Sequence, residues 1–468
     1  MSPMCMSTAS IIRKHKQIEA MDTDKISLAN KLIQLSLVPE LITDIDTQQI
    51  EAAHFEQFKE ILDEKLNLLF DLIQLYENDL FEKTAATQIF RKSLVILLCE
   101  QSADNVPFKT DQVMLQQNIT NLTEKWFRVV VDERCLLELV LQHYKALIKV
   151  NVWKKNIGAI FGFHRFCQLY YRSTSLLQMS EVFFVLATGT LLLEHYEPKY
   201  KQLGIDLYNI LMAFSNKSDL ISANIHHAVY ATCSANIPKI QDHQISLKLW
   251  KCLHRCLELD DSWKRTSDWH KVDELMIDLL KRIAFEGNIS RSTILFHFAA
   301  KFGTLPYRSS IVNDLNKWLD EGGMERRSMV DIDWRALRSE YRNIDSFIIY
   351  KWVKKMLLLI SNQNMFYGDD YDVACNLQAI HVTYIVWIFS IPLTLISSPV
   401  LDMLTKFVPT LLDCYRRYET KELVAIEIRQ LFNTFQEHFQ FGDVSSDSKN
   451  VGLAKRLETL LVIKGSIL

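Results

Sequence analysis

Glycine and proline are scarce in this chain of 468 residues, which contains 12 glycines and nine prolines. Average usage would give roughly 55 residues of these two types in a chain of this length. Glycine supplies the positive φ angles of tight turns and proline ends helices, so their shortage indicates few tight turns and long uninterrupted helices. A sandwich, a barrel or a doubly wound sheet would need many more of both. The composition therefore predicts an all-α protein.

Sequence signatures of catalysis and cofactor binding are also missing. The chain contains no GxGxxG, GK[ST], GxSxG or HExxH pattern. Cys252, His254 and Cys256 are close in sequence, but no second Cys/His pair stands at zinc-finger spacing. The acidic run Gly368–Asp372 has no counterpart that could face it across a diphosphate-binding cavity. We therefore predict no catalytic residues, no cofactor and no metal.

The chain has no large excess of charge of one sign, since its formal net charge is −3. A broad basic face for nucleic acid is thus not expected. The N-terminal basic residues are not followed by an apolar segment, so no signal peptide is expected. The apolar stretch 380–396 is shorter than the roughly 20 residues of a spanning helix, and we expect a buried helix that ends at Pro392. The nine cysteines form no CxxC pair, which is typical of reduced, buried thiols in an intracellular protein.

Apolar residues recur at intervals of three and four over long segments, which is the pattern of amphipathic helices. One such helix is predicted over 54–76, and another begins at Pro198. Asp219 is expected to cap the helix that follows, and a third helix begins near Asp242. The first and third helices of this central region begin roughly 43 residues apart, the length of a HEAT or armadillo hairpin. The predicted fold is a right-handed α-solenoid of HEAT/armadillo-like antiparallel helix pairs.

Four regions are predicted along the chain. A flexible N-terminal tail covers 1–21, and an N-terminal helical region covers 22–150. The repeat solenoid covers 151–440, and a polar linker with a short C-terminal helix covers 441–468.

Two predicted loop regions combine tryptophan with basic side chains. Trp263 and Trp269 flank a charged loop, and Arg326, Arg327 and Trp334 form a second polar-aromatic region. Tryptophan and arginine are enriched at interface hot spots, so these five residues are the partner-binding candidates. The alternative is that the tryptophans fold back onto the solenoid, and for loop tryptophans this packing is the commoner outcome.

A spaced pattern runs through 150–310. Trp153 and Lys154 precede a helix, an apolar run leads to the helix with Leu203 and Gly204, and Asn224 and Tyr230 mark the next one. The pattern continues through 243–253 and 269–286, and as a whole it resembles that of the Tel-two-interacting protein two family. The residues of this pattern, which we expect to be structural, are Trp153, Lys154, Asn156, Tyr200, Leu203, Gly204, Asn224 and Tyr230.

The resemblance implies a HEAT-repeat subunit of the Triple-T co-chaperone. The implied direct partner is the larger Tel-two-interacting protein, and the complex also contains the Tel-two protein. The complex works with the ninety-kilodalton heat-shock chaperone through its R-two-TP adaptor, and its clients are phosphatidylinositol-kinase-related kinases of DNA-damage and nutrient signalling. We expect a cytoplasmic location with the nucleus as a second compartment, and no contact with nucleic acid or membrane. The alternatives are another helical adaptor, such as a transport receptor or phosphatase scaffold, and an all-α enzyme acting on diphosphates.

Overall fold

A computed structural model provides the structure of the protein and shows only helices as regular structure. It describes residues 25–46, 50–131, 134–150, 152–173, 177–259, 270–305, 346–360, 366–388, 398–418 and 420–440. Within these ranges no β-strand occurs, which confirms the all-α prediction. The chain divides into two compact units, Met1–Leu220 and Ile221–Leu468. In each unit, helices pack against neighbouring helices, as they do in an α-solenoid; its right-handedness stays a prediction.

The first unit consists of helices joined by short connections, two of which form 3₁₀ turns. The turns are Ala52–Phe55 and Trp153–Lys155. The α-helices are α1 (Lys25–Ser36), α2 (Glu56–Leu75), α3 (Glu77–Phe81), α4 (Ala85–Gln101), α5 (Val113–Val131), α6 (Arg134–Leu147), α7 (Ile157–Ser173), α8 (Met179–Leu193) and α9 (Pro198–Phe214). A short helix, α10 (Lys217–Ser222), contains the boundary between the two units.

The second unit continues the same architecture. It contains a 3₁₀ turn at Ile237–Lys239. Its α-helices in the described ranges are α11 (Ile225–Asn236), α12 (His243–Leu259), α13 (His270–Phe285), α14 (Ile289–Thr304), α15 (Ser346–Ile360), α16 (Asp370–Ile388), α17 (Ser398–Arg417) and α18 (Glu422–Gln440).

Helix ends follow local chemistry. Pro198 occupies the first turn of α9, where its missing N–H has no intrahelical acceptor to lose. Thr84 caps α4, because its side chain accepts a hydrogen bond of 3.3 Å from the backbone N–H of Thr87. The apolar stripe of the helix predicted over 54–76 is buried in α2, at Leu62, Leu66, Leu69 and Ile73. Periodicity and capping therefore locate these elements well.

The predicted capping role of Asp219 is wrong. Asp219 lies in the first turn of α10, and the side chain of Asn216 accepts the backbone N–H of Ser218 at 3.0 Å. The next helix, α11, follows Asn224, whose φ of 54° is left-handed. Asparagine tolerates this conformation better than most residues. The left-handed residue separates α10 from α11, where the apolar pattern predicts one continuous helix.

Glycines permit the close approach of α8 and α9. A Cβ atom on Gly204 would lie 2.7 Å from the carbonyl oxygen of Gly189 and 2.9 Å from the backbone nitrogen of Leu193. A Cβ atom on Gly189 would lie 2.6 Å from the ring of Tyr208. The two backbones can therefore pack at this distance only without side chains at these positions.

Polar side chains connect helices inside the second unit. On α13, the carboxylate of Asp273 accepts hydrogen bonds from the indole N–H of Trp352 at 2.8 Å and from Lys351 at 2.6 Å, both on α15. Between α14 and α16, the hydroxyl of Ser292 donates to the Asn376 side chain at 3.2 Å. Polar groups that are paired in this way fix the register between helices, and the Ser292–Asn376 pair does so in the buried interior.

The apolar stretch that begins at Ile380 forms the end of α16. Ile380, His381 and Tyr384 are buried there, and burial lowers the pKa of His381 to about 4, so its imidazole is neutral. Residues 389–397, which include Pro392, lie outside the described residues. Among the helices that the structure describes, none has the length and apolar character needed to cross a bilayer.

Candidate protein-binding surface

All five partner-binding candidates lie outside the described residues. They are Trp263, Trp269, Arg326, Arg327 and Trp334. Their role in binding a partner stays a prediction.

Residues of the family-like pattern meet in an aromatic cluster of the first unit. Trp153 is only 1% exposed, and its ring centroid lies 5.3 Å from those of both His195 and Tyr200. Both interplanar angles are 76°, which is the edge-to-face geometry that aromatic pairs favour. Segments that are more than 40 residues apart in sequence are thus joined by packing around one indole ring.

The segment 41–46 lies across this cluster and is held by backbone and charged contacts. The backbone N–H of Leu41 donates to the carbonyl of Lys155 at 2.9 Å. The Asp46 carboxylate forms an ion pair with Lys154 and contacts Nε2 of His195 at 3.0 Å. The hydrogen bond with Lys154, assisted by that with His195, lowers the pKa of Asp46. The N-terminal region is therefore part of the structure that surrounds the family-like residues.

A buried carboxyl group holds the beginning of the same connection. Glu100 on α4 is 4% exposed, and its Oε2 accepts a hydrogen bond of 3.0 Å from the backbone N–H of Val38. Burial raises the pKa of Glu100 to about 8. Gly162 on α7 leaves room for this side chain, since a Cβ there would lie 2.9 Å from Cγ of Glu100. The carboxyl group is thus held close to its neutral form.

Replacing Glu100 with glutamine should change how stability depends on pH. The folded-state pKa of Glu100, about 8, lies above the ordinary value of 4.5. The protonated carboxyl group therefore makes its full contribution to the free energy of unfolding below pH 4.5, and this contribution is lost as pH rises through 8. The glutamine side chain keeps an acceptor for Val38 but cannot ionise. We expect the two proteins to have similar stability at pH 5 and the variant to be more stable by roughly 3 kcal/mol at pH 8.5. Urea unfolding across this range measures the difference, and parallel pH profiles would contradict it.

The remaining residues of the family-like pattern also make contacts within the chain. The side-chain amide of Asn156 donates to the carbonyl of Val152 at 3.1 Å, and the hydroxyl of Tyr230 donates to the carbonyl of Lys271 at 3.3 Å. Leu203 is buried beside Gly204 in α9. These residues therefore take part in helix packing and hydrogen bonding within the chain, and the structural role expected of the pattern stays a prediction.

A cleft in the second unit is the best candidate binding surface in the described residues. It lies where the start of α12, the end of α13 and the start of α14 meet, and it has a volume of about 360 Å³. We call it the α13–α14 cleft; its residues include Ile240, His243, Lys281, Arg282, Phe285, Glu286, Arg291 and Leu295. Ile240 and Leu295 are buried and apolar, whereas Phe285 is 89% exposed. Such a combination of apolar floor and exposed aromatic side chain is typical of interaction sites.

The charged groups around the cleft are mostly cationic at neutral pH. The guanidinium of Arg282 is half-buried and binds the carbonyl oxygens of Ile237 and Ile240, and burial lowers its pKa although Asp278 opposes the shift. Burial, followed by the nearby charge of Arg291, lowers the pKa of His243, so its imidazole is neutral. Three cationic side chains therefore face one carboxylate, Glu286.

The residues considered above for metal or diphosphate chemistry are buried in helices or make contacts at the surface. Asp370 pairs with Lys421 at 3.4 Å, and Asp372 accepts a hydrogen bond of 2.7 Å from Ser290. Cys252 and Cys256 are buried free thiols on α12. No group of three or more His, Cys, Asp or Glu residues in the described ranges is placed to hold a metal ion.

Comparison of the chain with protein-family models, with curated proteins and with solved structures finds no match. The likeness to the Tel-two-interacting family rests on the residues of the chain itself.

Proposed function

We propose that this chain is a non-catalytic scaffold subunit of the Triple-T co-chaperone. The observation that carries the proposal is the family-like pattern over 152–286, in a chain whose regular structure over the described residues consists of helices alone. In this role the chain binds the larger Tel-two-interacting protein directly and assembles with the Tel-two protein. It acts with the heat-shock chaperone and its adaptor on phosphatidylinositol-kinase-related kinases, in the cytoplasm and the nucleus.

The physical properties of stacked helices support this role. Helix pairs that contact mainly their neighbours expose extended surfaces and can flex by small rotations shared among repeats. A second helical protein can lie along such a surface without any enzymatic site. Partner binding to the folded state would also stabilise the chain by mass action.

Affinity purification of the full-length tagged chain from its own cells tests the proposal. We expect mass spectrometry to find the larger Tel-two-interacting protein, the Tel-two protein and at least one client kinase, all absent when an unrelated tagged helical-repeat protein is used. Depletion of the chain should lower the amounts of the client kinases several-fold without changing their transcripts, because an immature kinase is degraded. If neither the larger Tel-two-interacting protein nor the Tel-two protein co-purifies with the chain, the proposal is rejected.

A further inference from the structure

We propose that the α13–α14 cleft binds an acidic peptide segment of a partner protein, with an apolar side chain of that segment seated between its carboxylates. The site contains none of the eight residues named for the family-like pattern, and the proposal does not depend on membership of the Triple-T complex. The inference rests on three features of the cleft: an incompletely compensated cation, an exposed aromatic side chain and a small apolar floor.

Arg282 is the cation that most needs an anionic partner. Its half-buried guanidinium contacts backbone carbonyls, and among the described residues no carboxylate lies within ion-pair distance of it. The charge of Asp278 opposes the lowering of its pKa by burial. Removing a charge from water is costly unless a counter-ion is supplied, so an incoming carboxylate is favoured at this position.

Two further cations extend the positive charge along the rim of the cleft. Arg291 is exposed at the start of α14 and makes no ion pair within the part of the chain that the structure describes. Lys281 is exposed on α13, and its one described ion pair is a distant contact of 3.8 Å with Asp278. These side chains can bind carboxylates on both sides of an apolar residue, which gives orientation as well as attraction.

Phe285 supplies the apolar part of the recognition. Its ring is almost fully exposed at the end of α13, four residues after Lys281 and beside the buried Leu295 and Ile240 of the cleft. An exposed phenylalanine of this kind is unfavourable in water, and covering it gains about 25 cal/mol for each Å² of apolar surface removed from water. The volume of about 360 Å³ suits one or two apolar side chains of a peptide and not a folded domain.

A peptide fits these features better than a nucleic acid. Glu286 contributes a carboxylate to the cleft, and its Oε1 accepts the backbone N–H of Asn288 at 3.0 Å, which fixes it in place. A fixed carboxylate can accept the N–H groups of a peptide backbone, whereas the phosphate groups of a nucleic-acid backbone offer it no hydrogen-bond donor. Nucleic-acid affinity also depends on many phosphate contacts, and the cleft offers three cations in a chain of net charge −3.

Selection from a phage-displayed library of random dodecapeptides tests the proposal with the full-length chain. We expect the selected peptides to be enriched in Asp and Glu around a Leu, Ile, Met or aromatic residue. Fluorescence polarisation with the most enriched labelled peptide should then show binding that weakens about tenfold or more in the double variant Lys281→Glu, Arg291→Glu. Phe285→Ala should weaken it severalfold, and binding should fall as salt is raised.

The matched control is the double variant Lys251→Glu, Lys354→Glu, which makes the same change of charge at exposed positions outside the cleft. It should bind the peptide with an affinity within about twofold to threefold of the wild type, since solvent-exposed charges that do not line the cleft are screened and act weakly. Circular dichroism establishes that both double variants are folded. The proposal is overturned if no acidic peptide is selected, if both double variants bind equally, or if an oligonucleotide competes with the peptide at the same concentration.

Discussion

Replacing Gly204 with alanine should lower the free energy of unfolding of the first unit by about 2–3 kcal/mol. The added methyl group would meet two backbone atoms, the carbonyl oxygen of Gly189 at 2.7 Å and the nitrogen of Leu193 at 2.9 Å. Backbone atoms within a helix cannot move aside as a flexible side chain can, so α9 must shift away from α8. The shift reduces the packing contacts along the whole length of α8 and α9. The stability lost in this way exceeds the stability that burial of one added methyl group would contribute.

Thermal unfolding and hydrogen exchange of the full-length chain measure this effect. We expect the midpoint of the affected thermal transition to fall by roughly 5–10 °C. Relative to the wild type, amide exchange in the variant should become faster in α8 and α9 by more than it does in α14 and α16. Local exchange is the more informative measurement, because a chain with two compact units need not unfold in one step. Gly287→Ala is the matched control: a Cβ there meets nothing within 4 Å, so its stability should change by less than about 1 kcal/mol. Equal losses in the two variants would contradict the packing argument.

Much of the helical framework can be predicted from the sequence, because the spacing of apolar residues and the residues that begin or end a helix act over a few neighbouring positions. The buried stripe of α2 and the position of Pro198 are determined by spacing and by the chemistry of one residue. The apolar pattern does not predict the break between α10 and α11, because it continues on both sides of Asn224, whose left-handed conformation interrupts the helix. Period alone does not detect a single residue that reverses the backbone.

The contacts around the family-like residues could not be derived from spacing. Asp46 and His195 are 149 residues apart in sequence, and their pairing depends on where the connection after α1 crosses the Trp153–Lys155 turn. Gly204 is part of the sequence pattern, but the reason for a glycine there becomes visible only when α8 is opposite it. A short local signal did exist for the α13–α14 cleft. Lys281, Arg282 and Phe285 precede the Glu-Gly pair that ends the helix, although their convergence with Arg291 requires the turn between helices.

Replacing Trp153 with alanine should destabilise the first unit by about 3–4 kcal/mol. The substitution removes a buried indole that touches His195 and Tyr200, and the surrounding rings are held by α9 and by segment 41–46, so the space cannot collapse fully. The Nε1 atom of Trp153 is buried without a hydrogen-bond partner among the described residues, so its loss adds no broken hydrogen bond to the cost. Trp153→Phe, which keeps an aromatic ring and removes that N–H, should cost less than about 1.5 kcal/mol.

The same pair of variants separates a structural role of Trp153 from a direct role in partner binding. If packing is its role, Trp153→Ala should speed hydrogen exchange in segment 41–46 and reduce partner recovery only in proportion to the folded fraction. Phe183→Ala on α8, which removes a half-exposed aromatic side chain, serves as the control and should leave both measurements near wild-type values. An unchanged unfolding free energy together with loss of the partner would instead make Trp153 a binding anchor. That result is incompatible with an indole that is 1% exposed, unless the first unit opens when the partner binds.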